Sequence, residues 1–223
     1  MTLKNKILLD SSIRYVGLGD RLDAFGIAKL MHKENATRIK ILQPNGYFRQ
    51  FDELMEMFEF PCFYWHGTPV EGEEYFHHRP DGDEHVEFYK DRDFHQFDVR
   101  HWYMPSVNLP SKYVTAQFDG TQKRNKLYGP QRIVNEYRER GYDVVIVGGE
   151  ATHPILQPKP GNLKNIANVM SRSQGHVGVD SGMMHLAKFC MPADRIEVCV
   201  LNSQKTNFVR VLESKGAKIR DVK

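Results

Sequence analysis

The 223-residue chain has few of the features that mark secreted, membrane-spanning or metal-binding proteins. Its 3 cysteines, Cys62, Cys190 and Cys199, cannot all pair within one chain and show no metal-ligand spacing. No uninterrupted apolar run approaches the roughly 20 residues that a membrane helix needs. The first residues, MTLKNKILLDSS, contain too short an apolar stretch for a signal peptide. These absences favour a globular protein of a reducing cytoplasm.

Net charge is small, at +3, but it is unevenly distributed. Residues 1–110 contain 13 Lys or Arg against 18 Asp or Glu, hence −5, and residues 111–223 contain 18 against 10, hence +8. A basic second half suits an anionic ligand, for which a nucleotide and a nucleic acid are both candidates. A solvated basic surface without any ligand explains the same counts.

The second half alternates strand-like and helix-like segments. Strands are predicted at 113–118, 142–149, 176–180, 195–201 and 217–222, and helices at 129–141, 162–173, 182–190 and 204–216. The run YDVVIVGG at 142–149 is apolar throughout before its glycines, which is typical of a strand buried on both faces. Repeated strand–helix units predict a parallel sheet with helices on both faces.

The first half begins with the same alternation and then departs from it. Strands are predicted at 13–20, 37–44 and 61–67, with helices after the first two. Residues 71–98 carry 10 acids, 3 bases and 4 histidines, which predicts an irregular acidic, histidine-rich insert or hairpin. Its two Asp-x-Asp triplets do not follow a buried strand, so no metal site is predicted. Prolines at 104–112 mark a connection, giving domains at 1–105 and 106–223.

Glycines and polar residues gather at the predicted carboxyl ends of strands, where open parallel sheets bind ligands. A helix that starts after Asp180 and Ser181 presents unpaired backbone N–H groups and about half a unit of positive charge. Gly182 admits an anion close to the backbone, and His185 lies about one turn into the helix. The stretch therefore predicts a phosphate cradle. The alternative is a capped helix with His185 packed in the core.

Two further segments contain candidate functional residues. Lys123, Arg124 and Lys126 lie between a strand end and a helix start, within reach of phosphates at a neighbouring turn. A solvated loop is the alternative. VGLGDRLDAFG lacks the third glycine of a dinucleotide fingerprint, so Asp20 is interpreted as a carboxylate that accepts a proton from a hydroxyl. A helix cap is the alternative for Asp20.

Taken together, these segments resemble the bacterial heptosyltransferase family of glycosyltransferases. The matching segments are VDSGMMHLAK for the family's D-[ST]-G-x-x-H-L-A, YRERGYDVVIVGGE for its helix and Gly-Gly-closed strand, NKLYGPQ for its K-x-W-P, and YVGLGDRLDA for its Gly-Asp turn. In the third segment Tyr128 replaces tryptophan and Gly129 is inserted. The resemblance covers residues 113–201 and 13–30.

The resemblance implies an α/β fold of two Rossmann-like domains whose parallel sheets face a cleft, the GT-B arrangement. The first domain would take the acceptor, and the second a nucleotide-diphosphate sugar. Transfer would be inverting and need no metal or other cofactor. By position, Asp20 would be the general base, and Ser181, Gly182 and Met183 would hold the diphosphate. The remaining residues carried over are Lys126, Arg124, Gly149 and His185 as nucleotide-sugar or phosphate contacts, Glu150 at the ribose, Asp180 orienting its turn, and Gly17 and Gly19 forming theirs.

The function predicted on this basis is sugar transfer to an acceptor hydroxyl. The expected acceptor is a saccharide, such as lipopolysaccharide or another surface glycan. DNA with hydroxymethylated bases is the alternative acceptor and would require base flipping. A nucleotide-sugar epimerase and a non-catalytic nucleotide-sugar binder are further alternatives.

Overall fold

The computed structural model describes residues 6–9, 17–35, 39–43, 50–59, 62–66, 70–78, 83–103, 106–120, 126–201 and 205–222. The chain divides into two units, Met1–His95 and Gln96–Lys223. Each unit contains one parallel sheet, with helices between most of its successive strands. None of the helices in the described ranges is long and apolar enough to cross a membrane.

Unit 1 contains a four-stranded parallel sheet in the order β3-β2-β1-β4. Its strands are β1 (Lys6–Leu9), β2 (Ile39–Gln43), β3 (Cys62–His66) and β4 (Phe76–His78). Its helices are α1 (Leu18–Asn35), α2 (Phe51–Phe58) and α3 (Asp83–Lys90). Since β2 and β4 flank β1 on opposite sides, the succession of strands changes direction beside β1.

The start of unit 1 differs from the sequence prediction. The strand expected at 13–20 is wrong for residues 18–20, which begin α1, and residues 13–16 lie outside the described ranges. The strand β1 lies earlier in the chain. Leu22, Phe25 and Met31 in α1 are fully buried, and so are most residues between them, as in a helix that is covered on all sides. Gly19, predicted as a turn residue, lies inside this helix.

The prediction of an irregular hairpin within residues 71–98 is also wrong. Residues 76–78 form β4, parallel to β1, and residues 83–90 form α3. The acids that suggested an insert include two in the first turn of α3, where their negative charge interacts favourably with the helix dipole and stabilises the helix. His85, Phe88 and Tyr89 are buried on one face of α3, which attaches this helix to the unit.

Unit 2 contains a five-stranded parallel sheet in the order β6-β5-β7-β8-β9. Its strands are β5 (Tyr113–Gln117), β6 (Asp143–Ile146), β7 (His176–Val179), β8 (Ile196–Leu201) and β9 (Lys218–Val222). Its helices are α4 (Gln131–Glu139), α5 (Leu163–Arg172), α6 (Gly182–Cys190) and α7 (Asn207–Ser214). The predicted alternation of strands and helices in the second half is therefore confirmed.

One strand of unit 2 has a different environment from the one predicted. β6 was expected to be buried on both faces, but it lies at the edge of the sheet. Asp143 is exposed, and Val144, Val145 and Ile146 are only partly buried. The central strands β5 and β7 are instead fully buried. An apolar run alone did not distinguish an edge strand with partial cover from a central one.

The centre of the unit 2 sheet is tightly packed. Gly178 in β7 pairs with Gln117 in β5, and a Cβ atom added to Gly178 would overlap the carbonyl oxygen of Gln117. On one face, α4 contributes Ile133 and Tyr137 to the apolar core. The core residues from the strands in this cluster are Val114, Ala116, Val177, Val179 and Cys199. This packing fixes where β5 and β7 end, and the candidate site lies at those ends.

The chain segment at 96–103 belongs to unit 2. Gln96 Nε2 donates to the Lys188 carbonyl at 2.8 Å, and Phe97 N donates to the Phe189 carbonyl at 2.8 Å. Asn168 Nδ2 in α5 donates to the Tyr103 carbonyl at 3.0 Å. These contacts place the division between the units after residue 95, whereas the prolines in the sequence suggested 105/106.

Candidate functional site

The candidate site of unit 2 lies where its strand succession changes direction. β5 is followed in the chain by β6 on one side, and the later strand β7 lies on its other side. Ligands of open parallel sheets bind at such switch points, beyond the carboxyl ends of the strands. Gln117 ends β5, and Asp180 and Ser181 follow β7. The motif singled out in the sequence therefore lies at the position that this topology favours.

A chain of polar contacts joins two of the predicted phosphate contacts. The Ser181 hydroxyl donates to Gln117 Oε1 at 2.5 Å. Gln117 Nε2 in turn donates to the carbonyl oxygen of Asp119. The Asp119 carboxylate pairs with the Lys126 ammonium at 3.3 Å. Ser181 and Lys126, which are 55 residues apart in the printed sequence, therefore belong to one network.

The Gly-Gly turn after β6 packs against the same network. Gly148 has φ of 92°, and an added Cβ would lie 2.8 Å from Gln117 Cγ and 3.2 Å from Met183 Cγ. A side chain at Gly148 would therefore be both strained and crowded. Gly149 has no atom within 4 Å of its added Cβ, and Glu150 is exposed. The predicted contact of Glu150 with a ribose stays a prediction.

The N-terminus of α6 has no side-chain cap within the continuously described stretch 126–201. Ser181 occupies the N-cap position, but its hydroxyl is directed to Gln117. The first backbone bond of the helix runs from His185 N to Ser181 O at 3.0 Å, so the amides of Gly182 and Met183 precede it. By contrast, the N-cap residue Thr206 of α7 accepts from Val209 N at 3.3 Å. The amides at the start of α6 are oriented to bind an anion.

Asp180 and His185 contact the beginning of α7. Asp180 Oδ2 accepts from the Thr206 hydroxyl at 2.8 Å, and Asp180 Oδ1 lies 3.5 Å from His185 Nε2. The His185 ring stacks on Phe208, with centroids 3.5 Å apart and planes at 11°. Asp180 therefore connects the turn after β7 to the α7 cap. A phosphate contact for His185 stays a prediction, because its described contacts are with Asp180 and Phe208.

A lysine side chain of α6 is also buried. Lys188 is fully buried, and its Nζ lies 4.9 Å from the ring centroid of Phe189 and 5.1 Å from that of Phe208. An ammonium above an aromatic face is stabilised by the ring quadrupole. Phe208 therefore lies in contact with both His185 and Lys188. These contacts connect α6 to α7.

Burial keeps several titratable groups of unit 2 uncharged. Desolvation lowers the pKa of His176 to about 3, and the Nδ1 of its ring lies 3.0 Å from the Thr115 hydroxyl. Burial raises the pKa of Cys199 to about 12, and it raises the pKa of Cys190 as well. Both thiols are therefore protonated near neutral pH and do not act as nucleophiles.

The predicted general base, Asp20, lies at the start of α1. Asp20 Oδ2 accepts from the Gly17 amide at 2.7 Å, and the carboxylate is partly buried. Asp20 lies in the first turn of α1 and bonds back to the amide that precedes the helix, so it supports the helix start without being the N-cap residue of the alternative interpretation. The bond also fixes the orientation of the carboxylate beside the switch point of the unit 1 sheet. A role as general base stays a prediction.

Unit 1 also contains a buried polar group that the sequence did not reveal. Asp23 Oδ2 in α1 lies 3.2 Å from His85 Nε2 in α3, and both side chains are 1% exposed. Burial, and secondarily Asp23, raises the pKa of Tyr89 well above its ordinary value. Among the residues that the structure describes, no group of three or more His, Cys, Asp or Glu is placed to hold a metal ion.

The structure brings together four of the site residues predicted for unit 2. The network and its packing contain Lys126, Ser181 and Met183, with Gly182 between the last two and Gly148 packed against the network. Arg124 lies outside the described residues. The sequence analysis did not identify Gln117, Asp119, Thr206 or Phe208. The only local signal for Gln117 was its position at the end of a predicted strand.

No family model and no curated protein matches the chain. Three solved structures share its fold at low sequence identity. The iron-containing dodecameric glycosyltransferase TibC of enterotoxigenic E. coli has 16% identity and a TM-score of 0.53, over 90% of this chain and 59% of TibC. TibC described as a heptosyltransferase in complex with ADP-D-β-D-heptose gives 16% identity and a TM-score of 0.52 over the same shares.

A family 9 glycosyl transferase of Veillonella parvula has 12% identity and a TM-score of 0.53, over 100% of this chain and 87% of that one. The chain thus spans about three fifths of the length of TibC, at 59%, and most of the Veillonella structure. At these identities, the comparisons establish that the protein has a fold found in glycosyltransferases.

Proposed function

We propose that the protein is a glycosyltransferase that transfers a sugar from a nucleotide-diphosphate sugar to an acceptor hydroxyl. The observation that carries the proposal is the N-terminus of α6, which lies at the switch point of a parallel sheet and has no side-chain cap within residues 126–201. An anion suits this position because backbone amides and the helix dipole converge there. The similarity to TibC, which was solved with ADP-D-β-D-heptose, supports a nucleotide sugar as that anion.

In this proposal the diphosphate binds to the start of α6. The amides of Gly182 and Met183 and the Ser181 hydroxyl donate to its oxygens, while Lys126 contributes positive charge. Negative charge on the diphosphate grows as the bond to the sugar breaks, so donors fixed before the reaction lower the barrier. The Ser181 hydroxyl is held in place by its bond to Gln117. We propose that these groups act without a metal ion.

We propose Asp20 as the general base that takes the proton of the acceptor hydroxyl. The Gly17 amide holds its carboxylate at 2.7 Å, which restricts its rotation. We propose that transfer inverts the anomeric carbon, as it does when an acceptor attacks from the side away from the leaving diphosphate. The acceptor that we propose is a saccharide.

The proposal is tested by the melting temperature of the protein in a panel of nucleoside diphosphates and nucleotide sugars, starting with the ADP series. Each ligand is measured with Mg²⁺ and with a chelator. A ligand present at 100 times its dissociation constant adds about 2.7 kcal/mol to the free energy of unfolding. We expect one nucleotide to raise the melting temperature equally in both conditions.

Variants locate the binding site. Ser181→Ala and Lys126→Ala are expected to remove most of the shift. Ser214→Ala is the matched control, because that hydroxyl bonds to the Val211 carbonyl in α7. No shift with any nucleotide sugar would contradict the proposed function. A shift that all three variants retain would place the nucleotide elsewhere on the protein.

A further inference from the structure

The ammonium that the proposed function assigns to a phosphate already has an anionic partner. Lys126 Nζ lies 3.3 Å from Asp119 Oδ2. A backbone bridge between Asp119 and Lys126 brings the two ends of the intervening loop together. Both side chains are partly exposed, at 41% for Lys126 and 32% for Asp119, so solvent and a ligand can reach the pair.

The Asp119 carboxylate is also close to the groups proposed to hold the diphosphate. The Asp119 carbonyl accepts from Gln117, and Gln117 accepts from Ser181. A diphosphate that contacts both Ser181 and Lys126 would therefore approach Asp119. The negative charges of Asp119 and of the diphosphate would repel each other. Solvent screens this repulsion less at a partly buried site than in bulk water.

We propose that Asp119 is a built-in competitor for the diphosphate. The inference rests on the proposed function and names a residue that regulates the same site. Without ligand, Asp119 occupies Lys126, and the diphosphate has to displace it. When the diphosphate leaves, Asp119 pairs with Lys126 again. The apparent affinity is then reduced by the fraction of molecules in which the pair is closed.

The size of the effect follows from the exposure of the pair. Partly exposed ion pairs are weak, so the closed pair reduces affinity only severalfold. Removing the carboxylate also removes its repulsion of the ligand. We therefore expect Asp119→Asn to bind a diphosphate about three- to tenfold more tightly than the wild-type protein. Asparagine has nearly the same volume and leaves the backbone carbonyl that Gln117 contacts.

The test is a calorimetric titration of the full chain with inorganic pyrophosphate, and with the nucleoside diphosphate that gives the largest melting shift. Wild type, Asp119→Asn and Asp143→Asn are compared at one ionic strength. Asp143→Asn is the matched control, since it makes the same change in net charge at the exposed start of β6. Only Asp119→Asn is expected to bind more tightly.

A double variant identifies the cause. In the Lys126→Ala background, Asp119→Asn should bring a clearly smaller gain, because only its repulsion of the ligand is then relieved. An undiminished gain without Lys126, or an equal gain in Asp143→Asn, would overturn the proposal in favour of a general field effect. Weaker binding by Asp119→Asn would also overturn it and would make Asp119 a residue that positions Lys126.

The outcomes separate this inference from the proposed function. If pyrophosphate shows the expected order and no nucleoside diphosphate binds, the competition stands and the glycosyltransferase proposal fails. If nucleoside diphosphates bind but Asp119→Asn brings no gain in affinity, the competition proposal fails and the proposed nucleotide-binding site stands. Pyrophosphate that binds to neither wild type nor Asp119→Asn would overturn the competition. Circular dichroism melting confirms that each variant is folded.

Discussion

Both sheets of this protein are parallel and change direction beside their first strand, but the helices at their switch points begin differently. In unit 1, α1 starts with a carboxylate of the chain, as Asp20 accepts from the Gly17 amide. In unit 2, α6 starts at Ser181 without a side-chain cap within residues 126–201, because the hydroxyl is directed to Gln117. A helix start that holds its own anion does not need another, whereas α6 is suited to an external one.

This difference also suggests how the chemistry is divided between the units. A fixed carboxylate is suited to accepting a proton, and converging amides with an ammonium are suited to binding a diphosphate. The helix start in unit 1 would then carry a negative group of the protein, and the helix start in unit 2 would bind a negative group of the ligand. The substitutions below test that contrast and are taken in decreasing order of effect.

Asp20→Asn is expected to lower sugar transfer at least about 100-fold, as loss of a general base does. Nucleoside diphosphate affinity should stay within about twofold, because the donor is assigned to unit 2. Asparagine can still accept from the Gly17 amide, so α1 keeps this bond at its start. Turnover and calorimetric affinity are the measurements, and Asp52→Asn, an exposed acid in the first turn of α2, is the control. If Asp20→Asn kept full transfer activity, Asp20 would not be the general base.

Gly148→Ala is expected to lower the free energy of unfolding by about 2 to 3 kcal/mol, through strain at positive φ and crowding against Gln117 and Met183. It should also weaken nucleotide binding, because both neighbours belong to the site. Urea unfolding measures the first effect and calorimetry the second. Gly149→Ala is the matched control, because no atom lies within 4 Å of its added Cβ. Equal effects at the two glycines would contradict the described packing.

Acid should destabilise unit 2 through His176. Burial lowers its pKa in the folded protein to about 3. An unfolded histidine titrates near 6.5, so below that pH the unfolded chain binds a proton that the folded one does not. Stability therefore falls as pH decreases from about 6.5 to 3, with a loss of about 2 kcal/mol at pH 5. Urea unfolding at several pH values should show a shallower dependence in His176→Gln.

His153→Gln, at an exposed position, is the control and should leave the pH dependence unchanged. In unit 1, burial, with Lys29 and Lys33, lowers the pKa of His95 to about 4, so the same sign applies over a narrower range. An identical pH dependence in wild type and His176→Gln would contradict the burial of His176 as a neutral ring.

Thr206→Ala is expected to lower the free energy of unfolding by about 1 kcal/mol, the usual effect of losing an N-cap. The conservative substitution Thr206→Ser keeps the hydroxyl and should retain most of that stability. Ser181→Ala should mainly affect ligand binding, because its hydroxyl does not cap α6. Thermal and urea unfolding of the three variants measure the difference. A larger stability loss in Ser181→Ala than in Thr206→Ala would contradict the contrast between α6 and α7.

The sequence predicted unit 2 better than unit 1 for physical reasons. Strands such as 113–117 and 196–201 are buried and contain residues that favour β-strands, and each strand is followed by an amphipathic helix. In unit 1 the first strand has only four residues, and the glycines at 17 and 19 suggested a turn where α1 begins. The many charged residues around α3 led to the prediction of an irregular segment. The helical spacing of its three buried residues was therefore not recognised.

The sequence singled out the motif of the candidate site but not the contacts that support it. Ser181 and Gly182 were proposed because adjacent residues with complementary chemistry form a recognisable pattern. Gln117 was missed because its contact with Ser181 joins positions 64 residues apart. Such a contact depends on the pairing of β5 with β7, which a linear pattern does not specify. The stacking of His185 on Phe208 depends in the same way on the packing of α6 against α7.

The segment at 96–103 has a practical consequence for producing the second half of the protein alone. Its Phe97 ring packs on Phe189, with centroids 5.6 Å apart, and on Trp102. A fragment that starts at residue 106, where the prolines suggest a boundary, would lose this cover and expose an apolar surface prone to aggregation. A fragment that starts at residue 96 keeps the cover, so truncation should follow the packing and not the prolines.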